Sequence, residues 1–126
     1  MNAYEIPNLK FSLPSVAAVA ANRFVAVDSN SNGIQSTAST NVIGASMNQV
    51  IADQVLEISD GIVMVLAAGT ITAGGKVSSD ADGKAIPAVA DVQSGTTPFA
   101  VTKGTLIAGT AITGGTVGSL VAIKIN

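Results

Sequence analysis

Apolar and polar positions alternate in short runs along most of this chain, and glycine-containing turns separate the runs. From Arg23 onward the period is two, the period of a half-buried strand. Arg23–Asp28 (RFVAVD), Ile34–Ser39, Asn41–Met47 (NVIGASM), Gln54–Ile58, Ile62–Leu66, Lys76–Ser79, Lys84–Ala88, Phe99–Thr102, Leu106–Ala108 and Leu120–Ile125 (LVAIKI) are predicted strands. Ser29–Gly33 reads as a turn and Val50–Asp53 as a loop or short turn. Ser59-Asp60-Gly61 predicts a hairpin joining Gln54–Ile58 to Ile62–Leu66, and Asp80-Ala81-Asp82-Gly83 predicts a second hairpin, with Pro87 at an edge. Ile62–Leu66 (IVMVL) has no polar face and predicts a central buried strand. Gly44 marks a bulge or a close approach of backbone. Short strands between glycine turns point to an all-β fold, a small β-barrel or β-sandwich.

The first 22 residues differ. They hold Tyr4, Phe11, Pro7 and Pro14, half of the chain's aromatics and prolines, and no glycine. X-Pro pairs favour extended backbone, so Tyr4–Phe11 (YEIPNLKF) predicts an extended arm. Ser15–Ala21 is read as a further extended segment. The expected organisation is an N-terminal arm over 1–22 and a β-rich domain over 23–126. An arm this apolar needs a cover, either its own domain or a neighbouring chain. We read it as docking on another chain through Tyr4, Ile6, Pro7, Leu9 and Phe11, which makes residues 2–13 dispensable for folding.

Composition sharpens this. The 126 residues are 48% hydrophobic and 11% charged, with no histidine, cysteine or tryptophan and a net charge of −2. Tunable acids, bases, nucleophiles and metal ligands are what catalytic and metal sites require. Neither catalytic nor metal residues are assigned, no cofactor is expected, and the chain is read as a non-enzyme. An acidic balance argues against nucleic acid and anionic membrane surfaces as partners. The longest apolar runs are far short of the ~20 residues of a membrane span. Lys10–Asn22 contains an A-x-A step like a secretory cleavage site, but Glu5 precedes the run and Pro14 interrupts it, so no signal is assigned.

Three local motifs have plainer readings. Asp80-Ala-Asp82-Gly83 looks like the opening of a calcium loop, but the twelfth position is Asp91, not glutamate, and a hairpin turn explains it. Lys84 follows Gly83, unlike the lysine at the tip of lipoyl or biotinyl carriers. The glycine-rich stretches Gly69–Gly75 and Gly104–Gly118 lack the phosphate-loop pattern. Ala68–Val77 (AGTITAGGKV) and Ala108–Val117 (AGTAITGGTV) match at six of ten positions. We read this echo as a repeated turn needing glycine where φ is positive.

Several of these segments, in order, carry a family resemblance: AVAANRFVAVD, Val42–Ala45 (VIGA), Val55–Val65 (VLEISDGIVMV), Ala68–Val77 and Ser79–Ala85 (SDADGKA). Over roughly residues 15–90 the chain resembles the capsid decoration, or cement, proteins of tailed bacteriophages. Asn22 stands where that family often has glycine, a place that asparagine can fill if the backbone is left-handed. The resemblance implies a β-tulip-like barrel or sandwich on the outer surface of the virion head, reached from the host cytoplasm during assembly. It implies the major capsid protein as partner, contacts made by the arm residues, and a homo-oligomer, a trimer favoured over a dimer. The alternative is a surface adhesion or fibre module that binds glycans or host proteins; with only Tyr4, Phe11, Phe24 and Phe99 to stack on sugars, it is the weaker reading.

Overall fold

A computed structural model describes residues 6–89, 92–94, 100–102 and 104–126. The described residues form strands and turns and no helix. In chain order the strands are β1 (Ile6–Pro14), β2 (Phe24–Val27), β3 (Gly33–Gln35), β4 (Gly44–Ser46), β5 (Val55–Leu66), β6 (Lys76–Ser79), β7 (Ala85–Pro87), β8 (Val92–Ser94), β9 (Ala100–Thr102), β10 (Ile107–Ala111) and β11 (Leu120–Ile125). Nine of them make one antiparallel sheet in the order β3-β2-β4-β5-β11-β10-β6-β7, with β1 paired to β5; β8 and β9 pair separately. The sheet curls into a half-barrel. Ala67, just past β5, bridges Ala85 in β7, and Phe24 N–H donates to Gly83 O (2.7 Å) at the β6–β7 turn.

The all-β expectation holds, and most strands lie where the alternation puts them. One hairpin does not exist. Ser59-Asp60-Gly61 does not reverse the chain: Val55–Leu66 runs on as one twelve-residue strand. Its two halves find other partners instead of each other. The first pairs with β1 from Pro14↔Val55 to Ile6↔Ile62 and with β4 at Ala45↔Ser59; the second pairs with β11 from Lys124↔Ile62 to Leu120↔Leu66. Gly61 sits in mid-strand at φ 103°, its N–H taken by Asp60 Oδ1 (2.7 Å), and β1 shifts register there between Pro7 and Leu9. A glycine read as a turn therefore serves as a distortion inside a strand. The other hairpin is present: β6 pairs β7 through Val77↔Pro87 and Ser79↔Ala85, and Pro87 ends the sheet's outermost strand.

The interior has two parts. Phe24, Val63, Val65, Val77, Val121 and Ile123 anchor the half-barrel core, with alanines filling the remaining space. A second cluster, Val19, Val25, Val50, Leu56 and Ile58, lies under β1, and Phe11 and Leu13 pack against it. The segment 6–22 is thus joined to the body by a ladder, by these contacts and by the Val19↔Val50 bridge. Small residues permit close strand approach: a Cβ on Gly44 would stand 2.5 Å from Ser59 O. Asn22 has φ 57°, the left-handed backbone its position demands.

Candidate functional site

The arm residues are distributed along β1 rather than on a free tether. Tyr4 lies outside the described residues. Ile6 and Pro7 stand opposite Ile62 and Gly61, Leu9 opposite Asp60, and Phe11 opposite Ile58. Alternation sends Phe11 and Leu13 inward to the second cluster, while Leu9 remains 56% exposed. Phe11 therefore offers a partner only the part of its ring its own core leaves uncovered.

The outward face of this strand pair is polar. Lys10, Ser12 and Glu57 are exposed. A shallow hollow of about 230 Å³ lies here, lined by Lys10, Phe11, Ser12, Met47, Glu57 and Ile58. A smaller one of about 150 Å³ lies among Thr70, Ile71, Thr72 and Pro87. Among the described residues no group of three or more metal-ligating side chains comes together. The Asp80 turn binds its own backbone: Oδ1 accepts the N–H groups of Asp82 (2.8 Å) and Lys84 (2.9 Å), and Gly83 takes φ 74°. Those bonds commit Oδ1 of this carboxylate to the turn's own backbone.

The β2–β3 turn works the same way. Asp28 Oδ1 accepts the N–H groups of Asn30 and Asn32 (both 2.9 Å), and Oδ2 accepts Asn32 Nδ2. The Asn32 backbone bond, helped by the Asn32 side chain and the Asn30 N–H, holds this carboxyl below its ordinary value despite an opposing desolvation.

Exposed apolar residues gather at the end of the sheet where β1 gives way to a loop. Ser15 ties two segments together: its N–H donates to Gln54 O (2.9 Å), its carbonyl accepts Asp53 N–H (2.8 Å), and its buried hydroxyl donates to Ala17 O (2.8 Å) and Ile51 O (3.2 Å). Pro14–Ala18 and Ile51–Val55 are thereby held side by side. Val16, Ile51 and Val55 are 53%, 63% and 62% exposed, and exposed Pro14, Ala17, Ala18 and Ala52 accompany them. Asp53 is the one charge within these two segments. Sequence reasoning missed this patch by taking Val50–Asp53 as a connector. The available signal was an isoleucine in a loop, where polar residues normally face water.

No protein-family model and no curated protein matches the chain. Among solved structures it is similar to the crystal structure of the head fiber gp8.5 N base in bacteriophage phi29, with a TM-score of 0.68 over 94% of this chain and 93% of that one, at 17% identity. At that identity the likeness establishes a shared fold.

Proposed function

We propose that the protein is a structural component of a phage head, a decoration or cement protein that binds the outer surface of the mature shell at junctions between coat subunits. The observation carrying this is fold likeness to a phage head fibre base over 94% of the chain, joined to an apolar surface at one end of the sheet. Val16, Ile51 and Val55, on segments fixed by Ser15, form a greasy, almost uncharged face. Such a face, ringed by polar positions, marks a protein contact. The coat contact is assigned to it together with the arm residues Ile6 and Pro7 at the other end of β1, with Leu9, and with Tyr4, which lies outside the described residues.

The action is thermodynamic. A protein that binds the expanded lattice and not its precursor stabilises the lattice by mass action, by roughly 2.7 kcal/mol per site at a free concentration ~100-fold above the dissociation constant. Repetition over a shell makes that collective, and an oligomer engaging several coat subunits gains by effective concentration. Co-sedimentation with expanded and unexpanded shells of the parent phage tests the reading: binding to expanded shells supports it, and indifference to both removes it.

The second reading, a surface adhesion or fibre module, draws on the neighbour being the base of a fibre. Binding to host cells or glycans by heads carrying the protein, and not by heads lacking it, would favour it.

A further inference from the structure

We infer that the outer edge of β1 is a twofold interface for a second copy of this chain. The direction of its backbone groups follows from Ser15. That residue donates to Gln54 O and accepts from Asp53 N–H, so it faces the β5 side. Alternation then turns Leu13, Phe11 and Leu9 towards β5, and turns the backbone groups of Pro14, Ser12 and Lys10 away from it. Among the described residues no strand pairs with that outward edge. Lys10 and Ser12 are exposed there. An unpaired edge nine residues long is a template for another strand.

Proteins guard such edges with lysine and proline, and β1 has both. The guards nevertheless admit one register. With two β1 strands antiparallel about Phe11, Lys10 of each copy exchanges two backbone bonds with Ser12 of the other. Pro14 falls opposite Asn8 at each end of the ladder, beside the register shift between Pro7 and Leu9, where its missing N–H ends the pairing. The prolines thus limit the ladder without blocking it.

Both faces of the strand fit this register. On the inner face the two Phe11 rings meet at the axis, and Leu9, 56% exposed in the single chain, comes opposite Leu13 of the second copy. On the outer face, Lys10↔Ser59 and Ser12↔Glu57 are direct neighbours. The row across the interface therefore reads Ser59, Lys10, then Ser12 and Glu57 of the second copy. Two strand spacings, about 10 Å, separate Lys10 from that glutamate. The short serine between them leaves the path open for a long lysine and a glutamate to meet. The twofold makes the same pair again. Within one copy neither Lys10 nor Glu57 has an ion-pair partner among the described residues. The interface is isologous, uses up both edges, and closes at a dimer.

This inference is independent of the head-surface reading, because it is tested on the isolated full-length protein. Sedimentation equilibrium over a range of concentrations is expected to show a monomer–dimer equilibrium. Lys10→Glu turns two attractive pairs repulsive and is expected to weaken the dimer about tenfold. Lys10→Glu combined with Glu57→Lys is expected to return it to within about threefold of the parent. Ser12→Pro removes an outward N–H without touching the β5 ladder and is expected to abolish the dimer, with circular dichroism checking the fold. A monomer at every concentration, a dimer indifferent to Lys10→Glu, or an oligomer of another size indifferent to it would overturn the inference.

Discussion

Ile71 and Gly115 exchange both of their backbone hydrogen bonds, Ile71 N–H to Gly115 O at 2.8 Å and Gly115 N–H to Ile71 O at 3.0 Å. They are the fourth residue of one copy of the internal echo and the eighth of the other. The reciprocal positions also bond: Ala111 N–H donates to Gly75 O (2.9 Å). The repeat is therefore a pair of segments clasped to each other about a local twofold, not one turn used twice. The glycines have different reasons. Gly74 has φ 84° and open space at its Cβ position, whereas a Cβ on Gly114 would stand 2.7 Å from Ile71 O.

That difference predicts different remedies. Gly74→Ala should cost about 1–2 kcal/mol from left-handed backbone alone, and Gly74→Asn should recover part of it. Gly114→Ala should cost about 1–3 kcal/mol through displacement of the Ile71 carbonyl, and Gly114→Asn should recover nothing. Urea unfolding of the four variants checks this; equal recovery at both positions would refute the clasp.

Deletion of residues 2–13 should unfold or severely destabilise the protein, reversing the expectation that the arm is dispensable. Leu56 and Ile58 are fully buried, and β1 is the strand that covers them with Phe11 and Leu13. Exposing one such side chain loses about 1.5–3 kcal/mol, and marginal domains tolerate few such losses. Leu56→Ala should cost about 2–5 kcal/mol, while Val117→Ala, at 68% exposure, should stay within about 0.5 kcal/mol of the parent. Melting temperatures of the two point variants decide whether the second cluster carries this weight.

How much of this was legible beforehand depended on whether a signal needed a partner to be interpreted. Leu120–Ile125, the β6–β7 hairpin with its Asp80 turn and the close approach at Gly44 could all be read locally, because alternation, Asp-Gly chemistry and backbone sterics act within a few residues, whereas the left-handed Asn22 was suggested only by comparison with glycine in the family the chain resembles. Gly61 could not. A glycine between two apolar runs suits a turn or a mid-strand distortion equally, and only the arrival of β1 and β11 on the two halves of β5 selects the second. β1 itself was legible as extended, but nothing in its residues named β5 as the strand it lies on. The Val16–Ile51–Val55 patch needed the Ser15 bonds that bring distant segments together.

Acid should weaken the β2–β3 turn. The Asp28 carboxyl is held below its ordinary value by the bonds from Asn32 and Asn30. A depressed folded-state value contributes stability that is fully present above the unfolded value and lost as pH falls through the folded one. Between pH 7 and 5 the turn is indifferent; below about pH 4 it loosens. Asp28→Asn keeps an acceptor oxygen and loses the titration. Melting temperature followed from pH 7 to 3 should fall less steeply in that variant, and parallel curves would show that Asp28 does not contribute.

The coat contact predicts a separation of binding from folding. Val16, Ile51 and Val55 are more than half exposed and belong to neither core cluster, so an aspartate at any of them meets water in the free protein. Melting should shift by no more than the change expected of an exposed site, about 0.5 kcal/mol. On a shell the same carboxylate would be buried against a coat subunit without a partner, which is costly. Val16→Asp and Ile51→Asp should therefore each reduce co-sedimentation with expanded shells at least about tenfold, while Val117→Asp, on an exposed loop separate from these two segments, leaves it unchanged. If the patch variants bind like the parent and only substitutions at Ile6, Pro7 or Leu9 impair binding, the contact lies at the opposite end of β1, and the apolar face faces something other than the coat.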